Sequence, residues 1–543
     1  MNDMGELLKD VEARVHANDV AGAMAMARQA VAAGATHPML LNLRAYSYEL
    51  EGRDDLARAD LERAVKLAPD DALVRNAYGL ILAKLERRQE AVAAFEAAVR
   101  LAPEFPHAHY NLGWAREATG DLAAAQTSLE RAITLKPDYP EPLARLAAIA
   151  FRRSDFAKAR EMAGRALALN PAQPLALTTL ANLAVVEAAF DEAETVLTRL
   201  FAEPNLQPME RALATGVLGD LRHAQGRYAE AFAAYRDSNQ QKYRIYAPRF
   251  DAPGVETIAT YAGWLADYFE KASAALWLAR KDGPAPAADE PRCHVFLVGF
   301  PRSGTTLLEN VLASHPAVVT LEEKGTLDDA TRAFLNNAAG RDRLGSLSAP
   351  DAAAHRSHYW RRVREFGAEP AGKVFIDKHP LNSIKLAIVG KLFPRAKILF
   401  ALRDPRDVVL SCFRRTFIMN PSMFEFTSLD RAARFYHLVM RLSAAYRGAL
   451  GLDWLDTRHE DLIDGFEAET RRVCGFLSLP WTPELAAFAE RARERAIATP
   501  SAVQVARGLN RAGVGAWRHY HEQMAPVLPV LQPWAAKFGY DAE

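Results

Sequence analysis

The stretch VFLVGFPRSGTT (residues 295–306) joins a short apolar run to a glycine-containing loop, and a helix is expected to begin at about Thr305. The run is rich in β-branched and aromatic residues, which is typical of a buried strand. Gly304 lets the backbone approach an anion closely, and the helix N-terminus at Thr305 and Thr306 favours negative charge. Arg302 adds a planar cation suited to phosphate or sulfate oxygens. The stretch therefore predicts an anion-binding loop between a strand and a helix.

This loop differs from nucleotide-binding loops of the GxxxxGK[ST] type. Arg302 stands before the Ser-Gly-Thr-Thr turn, and the turn is not followed by the usual lysine. We find no matching acidic motif for a magnesium ion, and the histidines show no pairing at metal-ligand spacing. We therefore expect an anion site that works without a metal ion.

Two further strands are predicted at KVFIDK (373–378) and KILFALR (397–403), with helical stretches between the strands. Strands that alternate with helices predict a mainly parallel sheet with right-handed crossovers. Ligands of such sheets bind where strands end and helices begin. Arg403 at the end of the third strand and Ser411 on the next helix can therefore form a second anion site. The alternative is a capped helix start with surface ion pairs.

The N-terminal half is periodic. Small residues recur every 34 positions, and so do prolines that follow helix-like segments. The prolines are Pro69, Pro103, Pro137 and Pro171, and the alanines include Ala23, Ala57, Ala91, Ala125, Ala159 and Ala193. This pattern predicts a pair of antiparallel helices in each repeat. It resembles the tetratricopeptide repeat over roughly residues 5–245, with an off-register copy around Gly219 and Tyr235. The alternative is an alanine-rich bundle with accidental spacing.

Composition narrows the class of protein. The formal net charge of the 543 residues is zero, so bulk charge gives no reason to expect nucleic-acid or membrane binding. The N-terminus does not resemble a secretory signal, and no run of 18 apolar residues predicts a membrane span. Three widely separated cysteines indicate reduced thiols. We therefore expect a cytoplasmic protein.

The two anion motifs together resemble sulfotransferases that use 3′-phosphoadenosine 5′-phosphosulfate (PAPS). The resemblance is closest to the tyrosylprotein-sulfotransferase-like branch and to the bacterial proteins that fuse tetratricopeptide repeats to this domain. The resemblance runs from about residue 292 to about residue 520. It implies that Arg302, Ser303, Gly304, Thr305 and Thr306 hold the 5′-phosphosulfate. It also implies that Arg403 and Ser411 hold the 3′-phosphate.

Three further segments extend the resemblance. SHPAVVTLEEK (314–324) is similar to the family stretch that carries a catalytic glutamate, which implies Glu323 as base, with Glu322 as an alternative. FIDKHP (375–380) implies Lys378 as the cation that meets the leaving group, and His379 is a third candidate base. TPSAVQ (499–504) and VGAW (514–517) resemble a donor-contact segment, which implies Ser501 and either Arg511 or Arg507 near the nucleotide. Ala516 departs from the lysine of the tyrosylprotein branch.

The predicted architecture is an all-α tetratricopeptide solenoid followed by an α/β, P-loop-like sulfotransferase domain. The expected boundaries are residues 1–250 for the repeats, 251–291 for a helical connector and linker, and 292–543 for the sulfotransferase domain. The resemblance implies transfer of a sulfuryl group from PAPS to a hydroxyl or amine acceptor, with peptide tyrosine as one candidate. The repeats are expected to bind a protein or peptide. The alternatives are a non-catalytic scaffold and an ATP-dependent small-molecule kinase, and homo-oligomerisation stays open.

Overall fold

The computed structural model describes residues 2–278, 289–494 and 508–541. Most of the linker predicted at residues 281–291 lies outside this range. By compactness the chain divides into two units. The first comprises Met1–Phe151 and Asp155–Leu180, and the second comprises Arg152–Ser154 and Ala181–Glu543.

The first unit consists of helices joined by short turns. They are α1 (Asn2–His16), α2 (Val20–Ala32), α3 (Pro38–Leu50), α4 (Asp54–Leu67), α5 (Ala72–Lys84), α6 (Arg88–Leu101), α7 (Pro106–Ala118), α8 (Leu122–Leu135), α9 (Pro140–Arg152), α10 (Phe156–Leu169) and α11 (Pro174–Val186), the last of which runs past the boundary. Pro69 lies in the turn after α4, as the repeat pattern predicts. In the same turn the Asp71 carboxylate accepts from Leu73 N at 2.8 Å and starts α5.

The repeat period corresponds to helix crossings. A Cβ added at Gly79 on α5 would lie 2.5 Å from Cε1 of Phe95 on α6, and one at Gly113 on α7 would lie 2.7 Å from Cγ of Leu129 on α8. Ala91 on α6, at the same period, is fully buried. Small residues therefore recur because the paired helices approach closely, which confirms the predicted helix pairs.

The second unit begins with helices and continues into the sheet domain. Its N-terminal helices are α12 (Phe190–Phe201), α13 (Pro208–Ala224), α14 (Tyr228–Phe250), α15 (Ile258–Phe269) and α16 (Ala274–Trp277). Gly219 on α13 meets the Tyr235 ring on α14, with an added Cβ 2.5 Å from Cε1, so this pair repeats the same crossing.

The strands are β1 (Cys293–Gly299), β2 (Val318–Glu322), β3 (Val374–Lys378), β4 (Lys397–Leu402) and β5 (Asp453–Arg458). The helices that follow are α17 (Thr305–Ala313), α18 (Asp328–Phe334), α19 (Ala338–Gly345), α20 (Ala349–Glu365), α21 (Leu386–Leu392), α22 (Pro405–Arg414), α23 (Pro421–Phe424), α24 (Leu429–Ala449), α25 (His459–Asp464), α26 (Phe466–Phe476), α27 (Phe488–Glu494), α28 (His521–Met524) and α29 (Leu528–Lys537). Short 3-10 helices lie at Pro380–Lys385, Glu425–Thr427, Pro483–Ala487 and Ala516–Tyr520.

In the described residues, these strands form one parallel sheet in the order β2-β3-β1-β4-β5. Successive residues of β1 point to opposite faces, so Phe296 and Val298 join one buried cluster while Val295 and Leu297 join another. Both faces are therefore covered, as expected for a parallel α/β sheet. The predicted class, a helical repeat array followed by an α/β domain, is confirmed.

Two strands were not predicted from the sequence. Both β2 and β5 are edge strands, and each mixes apolar residues with exposed or half-buried polar ones, so neither reads as a continuous apolar run. The helical stretch predicted between the strands at 373–378 and 397–403 begins as the 3-10 helix Pro380–Lys385 before it becomes α21.

Candidate active site

The candidate residues lie together at the carboxyl ends of the strands, because the strands are parallel. Lys378 is the last residue of β3, and it is in register with Leu297 of β1 and Glu322 of β2. On the other side of β1, Arg403 directly follows the last residue of β4. The carboxyl ends of parallel strands are where such sheets bind ligands. The structure therefore brings the anion loop, the lysine and the glutamates to the same end of the sheet, where the strands terminate.

The anion loop connects β1 to α17, and its shape depends on two backbone conformations. Gly304 has φ 96°, and an added Cβ would lie 2.7 Å from His459 Nδ1, so both conformation and space require glycine. Arg302 also has a positive φ of 73°, which is uncommon for a residue with a side chain. Strain of this kind clusters at functional sites, where the surrounding structure holds it in place.

The rest of the loop is held by its own hydrogen bonds. Ser303 Oγ accepts from Phe300 N at 3.1 Å and donates to Phe300 O. Thr305 and Thr306 follow as the first residues of α17, and both are buried. The first N–H groups of a helix have no partner within the helix, so this end suits an anion.

Two arginines and a serine join the anion loop to the junction after β4. Arg302 Nε donates to Ser411 Oγ on α22 at 3.0 Å, and Arg403 Nη1 donates to Arg302 O at 3.3 Å. Burial, together with the neighbouring charges of Arg415 and Arg403, lowers the pKa of Arg302 to about 9. Bound negative charge would offset both effects. The two predicted anion motifs therefore form one connected positive surface.

Lys378 lies at the centre of a cluster of carboxylates. Its ammonium is fully buried and lies 2.9 Å from Glu323 Oε1, 3.1 Å from Glu322 Oε1 and 3.5 Å from Glu309 Oε2. Burial disfavours the charged lysine, but the attraction of Glu323, Glu322 and Glu309 outweighs it and raises the pKa of Lys378 above its ordinary value. The lysine is therefore a fixed positive charge near the anion loop.

The Glu323 carboxyl is ionised, and its side chain is partly exposed to solvent. Burial acts to raise the pKa of its carboxyl, but Lys378 and His379 outweigh that effect and lower the pKa below the ordinary value. Its side chain is 38% exposed, against 12% for Glu322. Glu323 also has a positive φ of 48°, and its N–H donates to Lys378 O at 2.7 Å. Glu323 is thus an ionised carboxylate that can face a second molecule.

His379 is half-buried and follows Lys378 directly. Burial, followed by the charge of Lys385, lowers its pKa to about 4. At neutral pH the ring is therefore neutral and a weak base. Within the described part of the chain, its Nδ1 is buried without a hydrogen-bond partner.

The predicted donor-contact segment is described only from residue 508 onward. Ser501 and Arg507 lie outside the described residues. Arg511 is 67% exposed and pairs with Asp464 at 2.9 Å, so its guanidinium is directed to the surface. The neighbouring backbone does reach the anion site, because Gly513 O accepts from Arg403 Nη2. Of this segment, the structure brings the backbone of Gly513 to the candidate site.

Among residues 2–278, 289–494 and 508–541, no group of three or more histidine, cysteine, aspartate or glutamate side chains could hold a metal ion. Over that same portion, no helix is long and apolar enough to cross a membrane.

Comparison with known proteins assigns families to both halves of the chain. The sulfotransferase family matches residues 294–483, and tetratricopeptide repeats match residues 40–71 and 77–140. The chain joins tetratricopeptide repeats to a sulfotransferase-family domain. The matched range of this sulfotransferase domain includes the anion loop, Lys378 and Ser411.

Individual relatives are distant. An uncharacterized protein of Aquifex aeolicus (strain VF5) is 24% identical over 264 residues, which are 44% of this chain and 32% of that protein. A protein-tyrosine sulfotransferase of Drosophila melanogaster is 26% identical over 195 residues, which are 34% of this chain and 38% of the relative. The chain therefore spans less than half the length of these two curated relatives.

One solved structure similar to this chain is a tetratricopeptide repeat protein from Parabacteroides merdae. It has 14% sequence identity and a TM-score of 0.37, and the similarity covers 45% of this chain and 94% of that structure.

Sequence reasoning missed residues that surround the candidate site. Glu309 was not singled out, although it lies four residues after Thr305 and thus on the same face of α17. Asp407 was also missed: its carboxylate accepts from Gly515 N at 2.7 Å and Trp517 N at 2.9 Å, which anchors the C-terminal segment to α22. A helical-wheel reading of α17 could have indicated Glu309, whereas no local pattern links Asp407 to residues more than 100 positions away.

The helices of the last repeat-like pair also pack against this domain. Asn239 Nδ2 on α14 donates to Phe413 O of α22 at 2.7 Å, and the Phe232 and Phe413 rings lie 5.2 Å apart. His223 on α13 shares a 2.8 Å hydrogen bond with the Tyr520 hydroxyl. Helix α14 therefore packs against α22, the helix that carries Ser411, and α13 contacts the 3-10 helix that contains Tyr520.

Proposed function

We propose that this protein transfers a sulfuryl group from PAPS to a hydroxyl or amine acceptor. The observation that carries the proposal is the contact between Lys378 Nζ and Glu323 Oε1, 2.9 Å apart, at the same sheet edge as the anion loop. This pair supplies the two groups that the reaction requires: a base for the acceptor and a cation for the leaving group. The sulfotransferase family match over residues 294–483 supports the same reaction.

In this proposal the donor is bound by both anion motifs. Arg302, Ser303, Gly304, Thr305 and Thr306 hold the 5′-phosphosulfate through helix N–H groups and the guanidinium. The 3′-phosphate is bound by Arg403 and Ser411, and Ser501 contributes from the C-terminal segment. The hydrogen bond between Arg302 and Ser411 supports a single donor site built from both motifs.

The chemical step needs one proton transfer and one bond exchange. The acceptor oxygen loses its proton to the Glu323 carboxylate and forms a bond to sulfur, while the bond from sulfur to the bridging phosphate oxygen breaks. Negative charge develops on that bridging oxygen, and the Lys378 ammonium stabilises it. Glu322 and His379 are the alternative bases, but Glu322 is less exposed than Glu323, and the lowered pKa of His379 makes it a weak proton acceptor.

Peptide tyrosine is the acceptor class that the relatives favour, because the Drosophila melanogaster relative is a protein-tyrosine sulfotransferase. Tetratricopeptide repeats usually bind proteins or peptides. We therefore infer that the array over residues 1–250 recruits a protein partner or the acceptor itself to the domain at 292–543.

Calorimetry with adenosine 3′,5′-bisphosphate and with ATP plus magnesium tests the donor. Micromolar binding of the bisphosphate without binding of ATP is expected. No binding of the bisphosphate would overturn the proposal, and binding of ATP with magnesium alone would favour a kinase. A screen of peptide, carbohydrate and small-molecule acceptors with 35S-labelled PAPS then identifies the acceptor. A chain that binds the bisphosphate but labels none of these acceptors would favour a binding scaffold.

A further inference from the structure

The Lys378 ammonium has three N–H donors, and a carboxylate faces each of them. Glu323 and Glu322 accept at 2.9 and 3.1 Å, and Glu309 Oε2 lies at 3.5 Å. In this arrangement a leaving-group oxygen must compete with three carboxylates for the ammonium. Contact with that oxygen is therefore easier when one carboxylate turns away.

Exposure indicates which carboxylate moves. The Glu323 side chain is 38% exposed, that of Glu322 is 12% exposed, and that of Glu309 is fully buried. Separating the two fully buried charges, Glu309 and Lys378, would leave an uncompensated charge inside the protein, which is strongly unfavourable. Glu309 is therefore the counter-ion that stays, and Glu323 is the one that can turn to an acceptor.

Glu309 is also fixed at its other oxygen. Thr320 Oγ1 on β2 donates to Glu309 Oε1 at 2.8 Å, so the carboxylate is held between the strand and the lysine. On α17, Glu309 lies four residues after Thr305 and so on the same helix face, one turn below the anion loop. One short helix segment thus sets the position of Lys378 relative to the bound anion.

We propose that Glu309 is a positioning residue that keeps the Lys378 ammonium charged and aimed at the bridging oxygen throughout sulfuryl transfer. This inference rests on the proposed function. When Glu323 takes the acceptor's proton, its own negative charge is lost. Glu309 then retains the negative charge beside the lysine, so the ammonium stays protonated while the sulfur–oxygen bond to phosphate breaks.

The test compares Glu309→Gln with Glu309→Asp. The groups that face the ammonium are Glu309 from α17 and Glu322 and Glu323 from the end of β2, with His379 next along the chain. We expect Glu309→Gln to lower kcat by about 10- to 100-fold. The Kd for adenosine 3′,5′-bisphosphate should change by less than about threefold, since Glu309 binds lysine and not donor.

Glu309→Asp keeps the charge and should retain more of the wild-type kcat than Glu309→Gln. An unchanged kcat in Glu309→Gln, or the same lowered kcat in both variants, would overturn the inference. Should Glu309→Gln not fold, Thr320→Val provides a second test, because it frees the carboxylate without removing its charge. It should lower kcat while leaving the Kd for adenosine 3′,5′-bisphosphate in place, and an unaltered kcat would contradict the positioning role.

A measurement of stability, which does not depend on enzymatic activity, distinguishes this inference from the proposed function. Lys378→Met leaves Glu309 as an unpaired buried charge, and Glu309→Gln in the same chain removes that charge. The double variant should therefore unfold in urea with an equilibrium constant at least about tenfold smaller than that of Lys378→Met alone. Equal stabilities would overturn the pairing even in a protein that transfers sulfate. A wild-type chain that does not bind the bisphosphate would instead overturn the proposed function.

Discussion

Lys378 Nζ donates to Glu323 Oε1 across 2.9 Å; Lys378 ends β3, and Glu323 directly follows the last residue of the neighbouring parallel strand β2. This contact links the candidate cation to the candidate base before any substrate is present. It keeps the lysine protonated and the glutamate ionised, because each charge stabilises the other.

Glu323→Gln should abolish sulfuryl transfer and spare donor binding. Glutamine keeps the shape of the side chain but cannot take the acceptor's proton, so kcat should fall by about 10²- to 10⁴-fold. Turnover with 35S-labelled PAPS and calorimetry with adenosine 3′,5′-bisphosphate measure the two effects. His379→Ala is the matched control and should retain most activity. An active Glu323→Gln beside an inactive His379→Ala would make the histidine the base.

Ser411→Ala should weaken donor binding without unfolding the protein. It removes the hydroxyl that accepts from Arg302 Nε, so the guanidinium loses one support beside the anion loop. One such hydrogen bond corresponds to an increase in Kd for adenosine 3′,5′-bisphosphate of about 3- to 10-fold. Ser443→Ala is the control: its hydroxyl donates to Val439 O within α24. If both variants bind the nucleotide like the wild type, Ser411 has no role in the donor site.

The buried Asp377 carboxyl should make the unfolding free energy of the protein depend on pH. This fully buried carboxylate accepts from Thr326 Oγ1 and Tyr359 OH, each at 2.7 Å, yet burial raises its pKa from 3.8 to about 6. Between these values the folded state binds more protons than the unfolded state, so stability falls as pH rises. Relative to Asp377→Asn, the wild type should lose about 2 kcal/mol of unfolding free energy from pH 4 to pH 7.

Urea unfolding of the two proteins across this pH range measures the difference. The gap in unfolding free energy should widen up to about pH 6 and stay constant above it. Curves that run parallel from pH 4 to pH 7 would show that Asp377 titrates with its ordinary pKa.

Gly79→Ala should destabilise the repeat array. The added methyl carbon would lie 2.5 Å from Cε1 of Phe95, which is fully buried, so ring and helix must move apart at a cost of about 1–3 kcal/mol. Gly164→Ala in α10 is the control, because an added Cβ there meets nothing within 4 Å. That substitution should stabilise the helix by up to about 1 kcal/mol. Thermal unfolding of both variants distinguishes a helix crossing from simple helix propensity.

The amino-acid sequence by itself determined the features that depend on local pattern. The 34-residue period predicted the helix pairs, because close helix crossings require a small residue at the same place in each repeat. The stretch at 295–306 likewise predicted a strand, an anion loop and a helix start. Its glycine, hydroxyl residues and arginine are neighbours in sequence, so their combined preference for an anion does not depend on distant contacts. Strands β1, β3 and β4 were recognisable because central parallel strands are apolar on both faces.

Only the tertiary structure decided which side chains come into contact where the carboxyl ends of the parallel strands lie side by side. Strands β2 and β5 carry polar residues because they lie at the sheet edges, so no apolar run indicated them. The contact between Glu309 and Lys378 joins residues 69 positions apart, and that between Asp407 and Trp517 joins residues 110 positions apart. The chemistry of the site follows from those contacts, because a buried lysine's charge is set by the carboxylates that the fold places around it.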